Sequence, residues 1–188
     1  KMIWFTSDTH FSHGKIIEYS NRPFNDVYEM DACMVERWNA RVGKKDTVYH
    51  LGDVAFIKEP AVLDRLLSRL NGNKILIKGN HDRSAVTNSK YWGSVHDLLE
   101  ITYKDGKDKK LIVACHYALR TWRKQGRGSF NLHGHSHNNL PPIGKQLDVG
   151  VDAHNFYPIT LDYVLKYMDR QPLYSPDHHQ PTSPETID

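Results

Sequence analysis

Five short stretches of this chain place carboxylates, amides and imidazoles directly after apolar runs. "SDTHFSH" follows Met2-Ile3-Trp4-Phe5 and offers Asp8, His10 and His13. "YHLGDVAF" offers Asp53, and "ILIKGNHDR" offers Asn80, His81 and Asp82. "LIVACHY" ends on His116, and "FNLHGHSH" carries His133, His135 and His137. Any one of these passes for a solvated loop. Their recurrence is informative, because in α/β folds the loops beyond the carboxyl ends of strands converge on a crevice that the strands hold rigidly. Glycines at 52, 79 and 134 allow sharp turns and close approach there. The collected donors are Asp8, His10, Asp53, Asn80, His116, His135 and His137: hard oxygens with imidazoles and no thiolate. Such a set suits manganese, iron, zinc or nickel, with manganese favoured, better than an all-sulfur zinc site or an all-oxygen calcium site.

Composition agrees with that chemistry and removes other classes. Histidine, the commonest metal ligand, is the outlier at 12 of 188 residues. The two cysteines, Cys33 and Cys115, form no Cys-x-x-Cys pair, which argues against a disulfide framework or a thiolate zinc site. A formal charge of +3 is too slight to indicate nucleic-acid binding by itself. No stretch approaches the roughly 20 apolar residues of a membrane span. Lys1-Met2-Ile3-Trp4-Phe5-Thr6 turns polar too early for a signal peptide, so a soluble, cytoplasmic protein is expected, with no membrane association and no evident stable protein partner.

The elements that must position the donors follow from periodicity. Strands are expected near residues 2–7, 47–51, 74–78, 98–103, 111–115, 129–133 and 146–150. Helices are expected over 26–41, with Val27, Met30, Met34 and Trp38 on one face; from Pro60, with Leu63, Leu66, Leu67 and Leu70; and over 160–169, capped by Thr160. Early alternation of strand and helix implies parallel pairing, while Lys104-Asp105-Gly106-Lys107 reads as a hairpin turn. The result is one mixed α/β domain over 1–170, long enough for a single core. The Pro-rich segment 171–188, which includes His178 and His179, is expected to be a mobile tail.

In order, the motifs resemble the signature of the calcineurin-like metallophosphoesterases: Asp-x-His, Gly-Asp, Gly-Asn-His-Asp/Glu, a lone His, then Gly-His-x-His. The resemblance covers about residues 2–158. It is greatest to small bacterial and phage members, through Asp8-Thr9-His10-Phe11 and the Gly-Val-Asp-Ala-His-Asn ending. Protein Ser/Thr phosphatases continue the second motif as Gly-Asp-x-x-Asp-Arg-Gly, whereas this chain reads Gly52-Asp53-Val54-Ala55-Phe56-Ile57-Lys58. The resemblance implies a four-layer α/β/β/α sandwich of two mixed sheets flanked by helices. It implies two divalent ions, one held by Asp8, His10 and His137, the other by Asn80, His116 and His135, with Asp53 bridging. Such a pair, about 3.5–4 Å apart, activates a bridging water for in-line attack on phosphorus. His81 is then free to protonate the leaving oxygen, with Asp82 orienting its ring. The expected substrate is a phosphate ester, with diesters of nucleotides or short nucleic acids ahead of phosphomonoesters. A non-catalytic scaffold is the reading from another class, and retention of all seven ligands argues against it.

Other residues carry weaker expectations. Arg22, Arg120, Arg123 and His13 are candidate substrate contacts. The segment "LRTWRKQGRG", which adds Lys124 and Arg127, is either a phosphate-binding wall or a solvated basic loop. His50 and His133 are expected to support their neighbours, His154 to reach the site only as an alternative to packing, and Tyr117 and Trp122 to cover apolar surface.

Overall fold

Two mixed sheets hold the strands among the described residues, 1–106 and 108–176, of this computed structural model. In chain order the elements are β1 (Ile3–Thr6), α1 (Ile16–Tyr19), α2 (Val27–Arg41), β2 (Thr47–His50), α3 (Pro60–Arg69), β3 (Asn73–Ile77), α4 (Ser84–Thr87), β4 (Trp92–His96), β5 (Leu98–Asp105), β6 (Asp108–Cys115), β7 (Phe130–His133), β8 (Gln146–Asp148), β9 (Ile159–Thr160) and α5 (Leu161–Asp169). The first sheet runs β4-β3-β2-β1-β9, with β1 to β4 parallel and β9 antiparallel at the edge. The second runs β5-β6-β7-β8, an antiparallel β5–β6 pair followed by parallel neighbours. That pair is the expected hairpin; Lys107 lies outside the described residues.

Alternation along the strands decides what each face meets. Phe5, Leu51 and Ile77 pack against Ile112, Ala114, Leu132 and Leu147 of the second sheet, forming the core between sheets. Trp4, Val48 and Leu76 point the other way, onto Met30, Met34 and Trp38 of α2 and Leu63 and Leu67 of α3. Full burial of a Leu or Met side chain is worth about 1.5–3 kcal/mol, so these two layers carry the fold. The helices start where their caps dictate. Asp26 accepts from the Glu29 N–H at 2.8 Å while Glu29 Oε2 accepts from Asn25 N–H at 2.7 Å. Pro60 occupies the first turn of α3, and Thr160 accepts from Tyr163 N–H at 3.1 Å to open α5. α5 then lays Val164 and Met168 into the core between the sheets, beside β9.

Register brings the strand ends level. Thr6 pairs with His50 and His50 with Leu76 in the first sheet, and Ala114 pairs with Leu132 in the second. A bridge between Ser7 and Gly150 stitches the two sheets at that edge. The other face of the second sheet carries the row Glu100, Val113, Asn131 and Gln146. It is covered by the connection between β6 and β7: Asn131 Oδ1 accepts from Leu119 N–H at 3.1 Å, Gln146 Nε2 donates to Leu119 O at 2.8 Å, and Trp122 is buried.

The beginning of the expected tail is docked. Lys145 Nζ donates to the carbonyls of Met168 and Gln171 at 2.7 and 3.2 Å, Tyr174 packs against Gly144, and Ser175 is buried. His178 and His179 lie outside the described residues. No helix among the described residues is long and apolar enough to cross a membrane.

Candidate metal centre

Beyond β1 and β2 the chain continues as two loops bonded to each other. Asp8 N–H donates to Gly52 O at 2.9 Å, His10 N–H to Asp53 O at 3.0 Å, and Phe11 N–H to Val54 O at 2.9 Å. Asp8, His10 and Asp53 adopt left-handed backbone conformations at φ 55°, 49° and 55°, as do His135 and His137 at 65° and 46°. Non-glycine residues held this way cost of order 1 kcal/mol or more each and cluster at functional sites. Gly52, at φ +94°, supplies the turn that no branched residue would accept. A Cβ on Gly134 would collide with the side chains of Ser7 and Asp8, so only glycine lets the β7 loop close on the β1 loop.

The result is two adjoining groups of donors. Asp8, His10 and His137 bring one ligand atom each within 4.8 Å of one another, and Asp53, His116 and His135 do the same. Asp53 Oδ2 lies 3.5 Å from both His10 Nε2 and His116 Nε2. Asn80 Oδ1 lies 3.0 Å from His116 Nε2 and 3.0 Å from His135 Nδ1. Tautomers follow from the partners behind the rings. His116 Nδ1 sits 2.6 Å from Leu51 O, which fixes the proton there and turns the Nε2 lone pair toward Asp53 and Asn80. His137 Nδ1, 2.7 Å from Asp152 Oδ2, likewise leaves Nε2 facing Asp8 Oδ1 at 3.9 Å. His10 Nε2 is buried with no hydrogen-bond partner. Buried acceptors aimed at one another, with an orphaned imidazole nitrogen among them, call for a cation, so the donors fit divalent metal ions.

The calcineurin-like phosphoesterase family model matches residues 1–185. The chain belongs to that family. An uncharacterized protein of Methanocaldococcus jannaschii is 34% identical over 179 residues, covering 90% of this chain and 93% of its own. The gene 66 protein of Mycobacterium phage D29 is 31% identical over 187 residues, covering 84% and 92%. A crystal structure of an Aquifex aeolicus protein of unknown function shares the fold, with a TM-score of 0.69 at 24% identity over 88% of this chain and 98% of that one.

Burial and charge set the protonation of this phosphoesterase centre. Burial pushes the Asp8 carboxyl up to about 7, against the pull of His116 and His137. Burial holds His10 neutral, down to about 3. Burial also opposes the Asp53 charge, but hydrogen bonding and charge from His116, the His81 N–H and His10 outweigh it and bring the group to about 2. Burial lowers His116 and His137 while Asp53 and Asp152, respectively, raise them, and the net direction is upward for both.

Several expected residues have different occupations. Arg22 is buried, and its guanidinium donates to Asp152, to the carbonyls of Asp8 and Thr9, and to Met30 Sδ; the phosphate contact expected of it is replaced by a strut beneath the site. Asp82 does not brace the His81 ring. Its carboxylate accepts from the N–H groups of Gly79, Asp53 and Val54 at 2.8–2.9 Å, joining the β2 and β3 loops. Arg123 pairs with Glu100 on the back of the second sheet, and the exposed Arg120 belongs to the same covering segment, so the basic stretch walls that face. His154 bonds Asp148 O at 2.8 Å and packs edge-on against Tyr163.

The remaining residues have these places. His13 lies beside the centre, 3.3 Å from His10 Nδ1 and stacked on Phe56. Buried His133 bonds Gly134 O, and Trp122 is buried with its Nε1–H donating to Ser129 O at 3.2 Å. His50 accepts from Gly52 N–H at 3.2 Å and donates through Nε2 to Thr9 Oγ1 at 2.9 Å, tying both loops from below. His81 is exposed, with its ring 5.9 Å from that of His10 and its N–H donating to Asp53 Oδ1 at 2.9 Å. Sequence reasoning missed Asp152, which joins Arg22 to His137. Its signal lies in Gly-Val-Asp-Ala-His-Asn, where the aspartate stands two residues before a histidine that packs elsewhere.

Proposed function

We propose that this phosphoesterase hydrolyses phosphate diesters, with nucleotide esters as the leading class, using two divalent ions. Asp8, His10 and His137 would hold one, Asn80, His116 and His135 the other, and Asp53, whose Oδ2 faces both groups, would lie between them. The observation that carries the reading is the position of Asp53 Oδ2, 3.5 Å from an imidazole nitrogen of each group. The set of hard oxygens and imidazoles is compatible with manganese, iron, zinc or nickel, and manganese is the ion we propose. Bound ions supply charge stabilisation for the phosphoryl oxygens and a nucleophile at neutral pH.

The chain's own residues supply the rest. His81 stands at the open side of the centre, its backbone tied to Asp53, where its ring can give a proton to the departing oxygen. Asp82 acts through the backbone: by holding the N–H groups of residues 53, 54 and 79 it fixes the loops that carry Asp53 and Asn80. Arg22 and Asp152 keep His137 in the tautomer that presents Nε2.

The test is a panel of cyclic nucleotides, dinucleotides, oligonucleotides and phosphomonoesters offered to manganese-reconstituted protein. Faster hydrolysis of diesters is expected. A general preference for monoesters overturns the ranking, and inertness toward every ester overturns the enzymatic reading. His81→Ala should slow a nucleotide diester far more than a nitrophenyl ester, because only the alkoxide needs a proton to leave; general-acid help is worth about 10²–10⁴-fold. Equal losses with both ions retained would remove His81 from that role.

A further inference from the structure

Beside the centre lies a cavity of about 160 Å³ lined by Ala55, Phe56, Ile57, Lys58, His81 and Arg83. Its wall is aromatic and pre-set. The Phe56 ring is stacked on His13 at 4.1 Å between centroids and 14° between planes and has the tilted His81 ring at 5.8 Å, yet remains 45% exposed, so one face is supported and part of the ring is open. Its rim is cationic. Lys58 and Arg83 are exposed and make no side-chain ion pair or hydrogen bond among the described residues, unlike Lys78, Arg123 and Lys166, which each hold a carboxylate. His81 belongs to the same cavity. A supported flat ring face takes a planar ring, and two unspent cations take an anionic group.

We propose that this cavity is the leaving-group subsite, built for a nucleotide that carries a further phosphate: its ring rests on Phe56 and its extra phosphate on Lys58 and Arg83. The inference rests on the phosphoesterase reading and names the substrate for it, a short oligonucleotide with a phosphorylated end. His81 decides the side, because a residue that protonates the departing oxygen must face the group that departs. In the step, water adds its oxygen to phosphorus and the bond from phosphorus to the leaving nucleoside oxygen breaks. That oxygen takes a proton from His81, and the proton lost by the water passes to solvent while His81 is reprotonated. A space of this size accepts a ring and its substituent rather than a duplex.

The experiment compares kcat/KM of the manganese-loaded full chain for diadenosine dinucleotides with a 5′- or 3′-terminal phosphate and for the same dinucleotide without one. The variants are Lys58→Gln with Arg83→Gln, and Phe56→Ala. The wild type should prefer one phosphorylated dinucleotide by at least about 10-fold, the scale of a charge-assisted contact. The double variant should bring that ratio close to one, whereas Phe56→Ala should lower kcat/KM for both dinucleotides and keep the ratio. Hydrolysis with no preference, or a preference that survives the double variant, overturns the subsite alone. No hydrolysis of any ester overturns the phosphoesterase reading and the subsite with it.

Discussion

Asp8 and His137 are supported from behind and His10 is buried, whereas Asn80 and His135 stand at the surface. Asp8 is fully buried, accepts from His135 N–H at 2.9 Å, and has its own carbonyl held by Arg22 Nη2 at 2.6 Å. His137 is fixed by Asp152, which Arg22 grips in turn. In the other group only Asp53 and His116 are buried; His135 and Asn80 are exposed. The contrast teaches a division of labour. One half is pre-built and closed, and the other half is open to solvent. Outer partners are worth about 10–100-fold in metal affinity, so the closed half should be the tighter one.

Asp53→Ala should have the largest effect, because Asp53 belongs to both halves. Activity should fall by more than about 100-fold, beyond the usual penalty for losing an outer partner, and metal analysis after dialysis should find fewer than two ions. A variant that keeps two tightly bound ions and full activity would sink the bridging role. Asp152→Asn separates the halves. It should weaken the tighter of two manganese affinities by about 10–100-fold and leave the weaker one alone, as read by calorimetric titration. If the weaker affinity moves instead, the assignment of the closed half is wrong. In the wild type that titration should resolve two affinities at least about 10-fold apart; two equal affinities would erase the comparison.

The smallest effect concerns the post beneath both halves. Burial holds His50 neutral, down to about 3 from 6.5. The unfolded chain binds its proton near 6.5, so stability resting on neutral His50 is complete above that pH and drains as pH falls toward 3. Denaturant unfolding of the wild type should lose about 2 kcal/mol through this residue between pH 7 and pH 5, and His50→Gln should lose correspondingly less. Parallel pH profiles for the two proteins would assign the loss to other groups.

What was legible in the sequence was whatever repeats locally. An apolar run that ends in a ligand marks a strand end, and it identified β1, β2, β3, β6 and β7 together with the donors brought together in the two groups. β4 escaped because Gly93 and Ser94 interrupt its apolar run, and β9 because it has only two residues. The roles of Arg22, Asp82 and Asp152 were hidden because their partners lie far away in the chain or on the backbone. The place of the basic segment was hidden for a topological reason. It lies between two ligand motifs, but β6 and β7 are parallel, so their connection must travel back along the outer face of the sheet before the chain can approach the centre again.

The stitched edge between the sheets has a consequence for how the protein responds to heat. Asp8, His10 and Asp53 come from the first sheet and His116, His135 and His137 from the second, so the donors meet only while the two layers are packed. In the unfolded chain they are scattered, and an ion that prefers the assembled set adds its binding free energy to that of folding. The melting temperature is therefore also a metal titration: it should climb with the logarithm of free manganese and fall when a chelator is added.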